Sequence, residues 1–236
     1  MDYHFISRTI LFRGCSDEEI RTMEKHLQFR TVKYKKETRI LSEGNIVTDI
    51  GLVLSGSVQI VHHDLWGNKR ILGIVKAGGV FAEAYACIPD EPLLIDVVAG
   101  EDCEILFLNV TKLLHPCSVC KSQSRLIQNL VVISAQKNLQ LSRRSLHTSS
   151  KTIRGRLLSY FSEQISVQGS NRIVIPFDRQ QLADYLNLDR SALSKELGKM
   201  KKEGFLTFRK NTFEIKMKEL SVSKLPESNG TCSGHV

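Results

Sequence analysis

The chain has no run of about 18 apolar residues, so no segment is expected to cross a membrane as a helix. Its first residues, MDYHFISRTILFRGC, hold neither a long apolar stretch nor a small-residue cleavage site. No secretory signal is expected from them, and the cytoplasm is the expected compartment. There, six cysteines are expected as reduced thiols and not as a disulfide framework. The sequence also lacks a clustered His and carboxylate metal signature, a glycine-rich phosphate loop and a nucleophile elbow. These absences argue against an enzyme, including a β-barrel enzyme carrying a helical interaction domain. No internal repeat occurs. Residues 77–111 contain no Lys or Arg at all, yet they hold Glu83, Asp90, Glu91, Asp96, Glu101, Asp102 and Glu104.

What is present is unevenly charged. The 236 residues suffice for one large or two ordinary domains, and 42% apolar content permits a real core. The net charge of +8 hides an asymmetry. Residues 1–120 carry 13 Lys and Arg against 16 Asp and Glu, whereas residues 121–236 carry 20 against 9. The second half alone has the footprint of a polyanion binder. An anionic membrane surface would attract it too, but its cations do not sit on a helix with a broad apolar stripe for lipid.

Those cations cluster in Asp178 to Gly204, DRQQLADYLNLDRSALSKELGKMKKEG. Asp178 with Gln181 makes a capping-box pattern, and Leu182, Ala183 and Leu186 form one apolar face. Asn187 and Leu188 fit a turn, and Asp189 suits the cap of a second helix. In that helix Leu193, Leu197 and Met200 must point inward. Arg190, Ser191, Ser194, Lys195, Gly198 and Lys199 fall on the opposite face, short, polar and cationic, as contact with base edges and phosphates requires. Gly204 stops the helix. Phe205–Phe208, Arg209-Lys210-Asn211 and Thr212–Ile215 then read as a β-hairpin with a basic tip. The candidate DNA contacts are Arg179, Gln180, Arg190, Ser191, Ser194, Lys195, Lys199, Arg209 and Lys210.

Upstream, Ile20, Met23 and Leu27 lie at helical spacing behind Ser16 or Asp17. From about residue 29 the period becomes two. Glycines at 44, 51, 56, 67, 73, 78 and 79 punctuate short β-rich pieces, and Trp66-Gly67-Asn68 reads as a hairpin turn. Short strands with regular turn signals predict a small antiparallel barrel or roll closing near Asn109. A helix follows over about residues 121–145, apolar on more than one face, which suggests that the same helix of a second copy packs on it. Lys137 and Asn138 interrupt that seam. His147 to Ser150 reads as a hinge, and a further helix spans about residues 151–164.

The order of these parts, with Leu11-Phe12, SDEEI at 16–20, Glu43-Gly44, VLSGSV at 53–58, GVFAE at 79–83 and the helix pair, resembles the cyclic-AMP receptor/FNR family of bacterial transcription regulators. The resemblance covers about residues 10–216. It implies an α+β fold: an antiparallel β-roll sensor over residues 1–120, a central dimerisation helix over 121–146 and a winged helix-turn-helix over 147–216. Residues 217–236, rich in Ser and Gly from Ser221 onward, are expected to be a disordered tail. It also implies a homodimer on an inverted repeat of double-stranded DNA, RNA polymerase as a partner, and a small-molecule effector of unknown identity. Ser191 stands where family members carry a base-reading Glu, Ser194 at a family Ser and Lys195 at a family Arg. Arg190 matches an arginine of the cyclic-AMP branch. The DNA sequence read should therefore differ from that of the best-known members.

For the sensor, the resemblance assigns Glu83 to a ribose hydroxyl; Glu83 could equally cap backbone amides of the roll. Leu93-Leu94 stand where the cyclic-AMP branch holds phosphate with Arg-Ser. With Ala84, these residues outline the candidate effector pocket, and cyclic AMP is not the expected ligand. The iron–sulfur branch uses an N-terminal cysteine cluster, and only Cys15 lies there, which speaks against such a cluster. Cys117-Ser-Val-Cys120 suits a reversible disulfide or Zn²⁺, or is simply a pair of thiols at a helix start. The chain could thus be a thiol- or metal-responsive regulator.

Overall fold

The computed structural model describes residues 1–64, 66–115 and 122–216. Cys117, Cys120 and the tail from residue 217 lie outside the described residues. The chain divides into two compact units, Met1–Asn138 and Leu139–Val236.

The first unit begins with α1 (Tyr3–Ser7), which the sequence pattern did not reveal, and α2 (Asp17–Leu27). Ser16 caps α2: its Oγ accepts from Glu19 N, and Glu19 returns a carboxylate to Ser16 N. Strands β1 (Arg30–Tyr34), β2 (Arg39–Leu41), β3 (Asp49–Ser55), β4 (Ser57–His63), β5 (Lys69–Lys76) and β6 (Val80–Phe81) follow. The β4–β5 hairpin turns where the glycine signal placed it, with Asp64 accepting from Trp66 N and Asn68 N and Gly67 at φ +80°. After α3 (Glu83–Ala86) come β7 (Asp96–Ala99), β8 (Cys103–Asn109) and α4 (Val110–Leu114). The strands form two antiparallel sheets, ordered β1-β8-β3-β6 and β2-β7-β4-β5.

Strand β8 explains how the roll is filled. Side chains alternate across a strand. Ile105 and Phe107 point into a core shared by both sheets, where Phe107 meets Phe81 edge-on at 6.3 Å. Leu106 and Leu108 point the other way, into a second core with Ile6, Phe12, Ile20 and Met23 of the N-terminal segment and Leu126, Leu130 and Ile133 of α5 (Gln123–Thr148). The four consecutive apolar residues are therefore a strand buried on both faces.

Helix α5 ends about three residues later than the sequence pattern indicated. Leu126, Leu130 and Ile133 are buried, whereas Val131, Val132, Leu139, Leu141 and Leu146 are exposed. The expected hinge at His147 is displaced, because His147 lies in the last turn of the helix and is buried.

The second unit continues with α6 (Ile153–Gln168), capped by Thr152 and ended by Gly169 at φ +61°, then β9 (Arg172–Val174), α7 (Arg179–Tyr185), α8 (Arg190–Lys202), β10 (Leu206–Arg209) and β11 (Thr212–Ile215). The expected hairpin is part of a three-stranded sheet, β10-β11-β9, because Ile173 pairs with Phe213. One core joins Leu157, Tyr160 and Phe161 of α6 to Leu182, Leu193, Leu197, Met200 and Phe213.

Gly51 tests the packing of the roll. A Cβ there would lie 2.1 Å from the Phe81 ring, whereas at Gly73 it would meet nothing within 4 Å. Gly51→Ala is expected to destabilise the protein by about 1–3 kcal/mol in chemical denaturation. Gly73→Ala should change stability by less than about 0.5 kcal/mol.

Candidate nucleic-acid interface

The helix pair is built from local signals. Asp178 Oδ1 accepts from Gln181 N at 2.8 Å, and Gln181 Oε1 accepts from Asp178 N at 2.9 Å, closing the capping box of α7. Asn187 takes the left-handed conformation of the turn, at φ +52°. Asp189 Oδ1 accepts from Ala192 N at 2.9 Å and starts α8. Ser191 Oγ also donates to Asp189, and these bonds, Ser191's first, hold the carboxyl below the usual range. Gly204, at φ +76°, follows the end of α8.

Leu193, Leu197 and Met200 anchor α8 in the core. Their burial turns Arg190, Ser191, Ser194, Lys195 and Lys199 to solvent along one face. Arg209 and Lys210 are exposed at the wing tip, where Lys210 itself adopts φ +54° in the two-residue turn between Arg209 and Thr212. Gln180 is exposed on α7 and donates to Asp184 Oδ1.

Arg179 behaves differently from the other candidates. Its guanidinium lies 4.7 Å and 4.8 Å from the ring centroids of Phe208 and Phe213, partly withdrawn from water, and burial lowers its pKa. It ties α7 to the wing by cation–π contact.

Two arginines that the sequence pattern did not single out hold the turn between α7 and α8. Arg144 Nε donates to Tyr185 O at 3.0 Å, and its Nη2 donates to Asp184 O at 2.9 Å. Arg156 Nη1 donates to Leu186 O and Asn187 O, each at 3.0 Å. Carbonyls at a helix C-terminus have no partner within the helix and carry its negative dipole end. Two cations satisfy them here. Nothing local in the sequence marks either arginine, since each acts on a turn 30 residues or more away in the chain.

His147 packs beside this clamp. It is 1% exposed, edge-on to Tyr160 at 5.4 Å, with Nδ1 3.0 Å from Tyr185 Oη and Nε2 2.9 Å from Glu163 Oε2. Arg143 also pairs with Glu163.

In the β-roll, Glu83 is buried at the start of α3, and among the described residues no backbone amide donates to its carboxylate. Its Oε1 accepts from Lys137 Nζ at 2.7 Å, and the same ammonium donates to Val80 O at 2.8 Å. The sequence offered no cation to an anion near Glu83; α5 brings one from outside the empty window. Lys137 thus reaches back to the roll instead of merely interrupting an apolar seam. Of the other pocket candidates, Leu93 is buried in the protein, whereas Ala84 and Leu94 face solvent. Among the described residues no group of three or more His, Cys, Asp or Glu could hold a metal ion, and no helix is long and apolar enough to cross a membrane.

The sequence model of the cyclic nucleotide-binding domain matches residues 31–118, and that of the Crp-like helix-turn-helix domain matches residues 155–220. The chain belongs to the CRP/FNR family of transcription regulators. This regulator is similar to CprK in complex with OCPA, with a TM-score of 0.60, 16% identity, and coverage of 82% of this chain and 88% of that one. It is also similar to the c-di-GMP-responsive global regulator CLP of Xanthomonas campestris, with a TM-score of 0.54, 18% identity, and coverage of 85% and 99%. At such identities the likeness is one of fold. Among curated proteins, the cyclic nucleotide-gated channel beta-1 of Homo sapiens is 31% identical over 83 residues, which are 35% of this chain and 6% of the channel. The regulator therefore spans a small share of that relative's length.

A pH dependence follows from His147. Burial, the larger influence, lowers its pKa below the ordinary 6.5; Glu163 opposes this and Arg143 adds to it. The unfolded chain then takes up a proton that the folded chain refuses. The stability linked to His147 is complete above about pH 6.5 and is lost as pH falls toward the folded pKa. Thermal melts between about pH 7 and pH 5 should show a steeper loss in the wild type than in His147→Asn.

Proposed function

We propose that this regulator is a homodimer that reads an inverted repeat in double-stranded DNA through α8 and the wing, in response to a signal sensed in the β-roll. The observation that carries the reading is the single face of α8 on which Arg190, Ser191, Ser194, Lys195 and Lys199 are all exposed while Leu193, Leu197 and Met200 hold the opposite face in the core. Side chains on such a face reach base edges, and Arg209 and Lys210 supply phosphate contacts beside it. Arg179 is removed from the set of direct contacts, because its guanidinium is spent on the wing aromatics. The dimer is supported by Val131, Leu139 and Leu141, apolar, exposed and carried on one helix.

Two recognition helices must enter successive major grooves about 34 Å apart. In titrations against a duplex selected from random sequence, Lys195→Ala is expected to weaken specific binding by about 1–3 kcal/mol. Lys210→Ala should weaken all sequences alike and lower the slope of log affinity against log salt by about one phosphate contact. A wild-type protein that sediments as a monomer at micromolar concentration and protects no DNA overturns the proposal.

The signal in this reading is not cyclic AMP. Leu93 and Leu94 offer a phosphate no donor side chain, and Glu83 already has its carboxylate on Lys137. Calorimetry with cyclic AMP and cyclic GMP is expected to give no saturable heat; micromolar binding would overturn this part alone. RNA polymerase remains the partner that the family membership suggests.

A further inference from the structure

Helix α8 and its C-cap carry two carboxylates, Glu196 and Glu203, that DNA contact does not explain. Glu196 and Glu203 are seven residues apart, about two turns, and so share one flank of the helix. That flank lies between the buried Leu197–Met200 side and the face of Lys195 and Lys199. Negative charge so close to a phosphate-binding face works against DNA binding.

Both carboxylates are taken by one residue of α6. Arg154 Nε donates to Glu196 Oε1 at 2.6 Å, and Arg154 Nη1 lies 2.8 Å from Glu203 Oε2. The same guanidinium sits 5.5 Å from the ring centroid of Phe205, the residue leading into the wing. Arg154 holds the carboxyl of Glu203 below its usual range. Arg154 occupies the first turn of its own helix, where a cation opposes the dipole. Its placement therefore does nothing for α6. It serves what it reaches: the middle of α8, the end of α8 and the root of the wing.

We propose that Arg154 is a positioning residue for DNA reading, which sets the rotation of α8 about its axis by bridging Glu196 and Glu203 and keeps both carboxylates turned from the phosphates. The planar fork of a guanidinium presents its donors to two carboxylates in a fixed geometry, whereas an ammonium on a flexible stem holds two acceptors with less directional constraint. Leu193, Leu197 and Met200 dock α8 and fix which side faces the core, and the two ion pairs of Arg154 add a directional restraint on its rotation. The direction in which Ser191, Ser194 and Lys195 meet base edges then depends on Arg154, although Arg154 touches no base.

The proposal rests on the reading of α8 as the DNA-contacting helix, and the test separates the two. The full-length wild type, Arg154→Ala, Arg154→Lys and the double variant Glu196→Gln/Glu203→Gln are titrated at one salt concentration. The duplexes are one selected by the wild type and one of scrambled sequence, and the temperature is one at which melting curves show every variant folded. Arg154→Ala is expected to lower the ratio of specific to non-specific affinity by about tenfold, and Arg154→Lys to recover less than half of that loss on a logarithmic scale. The double variant should bind the scrambled duplex more tightly than wild type, having lost two acids, while its specificity ratio falls. A purely structural role cannot produce these opposite signs. Unchanged specificity ratios, or parallel losses on both duplexes, overturn the role of Arg154. A wild type without DNA binding overturns the reading beneath it.

Discussion

The second unit depends on how the turn between α7 and α8 is held. Helix α7 has seven residues, too few to be stable alone. Its end presents four consecutive carbonyls, from Asp184 to Asn187, and each accepts from Arg144 or Arg156. The clamp therefore stabilises α7, places Asn187 in its left-handed conformation and sets where α8 begins. The capping aspartates act within this frame: they decide where each helix starts, and the arginines decide where the turn lies.

Arg144 belongs to the helix that also carries Lys137, with less than two turns between them. One ammonium holds α5 to Glu83 and Val80 in the first unit, and one guanidinium holds the same helix to the helix-turn-helix in the second. The roll interior holds Phe81 and Phe107, and the one carboxylate the family pattern singled out is engaged by the protein itself.

Much of the helix-turn-helix was legible because its signals are local. The Asp178–Gln181 box, the Asp189 cap, Asn187 and Gly204 act over three residues or fewer, and the i, i+4, i+7 spacing of Leu193, Leu197 and Met200 states which face is buried. The exposed cationic face followed from that alone. The antiparallel roll was legible for a similar reason, since its glycines and its period of two are local. What escaped acts at a distance. Strand β9 is three residues long and is a strand only because β11 pairs with it. Arg144, Arg154, Arg156 and Lys137 look like solvated cations in the sequence, and their partners stand 30 to 54 residues away. Arg179 shows the opposite case. Its charge was read, but the aromatic pair that captures it lies in the wing. The register of the hinge was missed because the burial of His147 depends on Tyr160, Glu163 and Tyr185, none of them its neighbour in sequence.

The central place of β8 has a temporal side. It lies between β1 and β3 in its sheet and feeds both cores, yet it is the last strand of the roll to be synthesised. Until residue 109 has left the ribosome, β1 and the β8-facing side of β3 are edges without partners, and the apolar residues of α1 and α2 lack Leu106 and Leu108 of the core they share. Pairings of such sequence separation close slowly. The nascent first unit thus passes through a long interval with open strand edges, the period in which association with other chains competes with folding. The β4–β5 hairpin, closed over a few residues at Asp64–Asn68, forms without waiting.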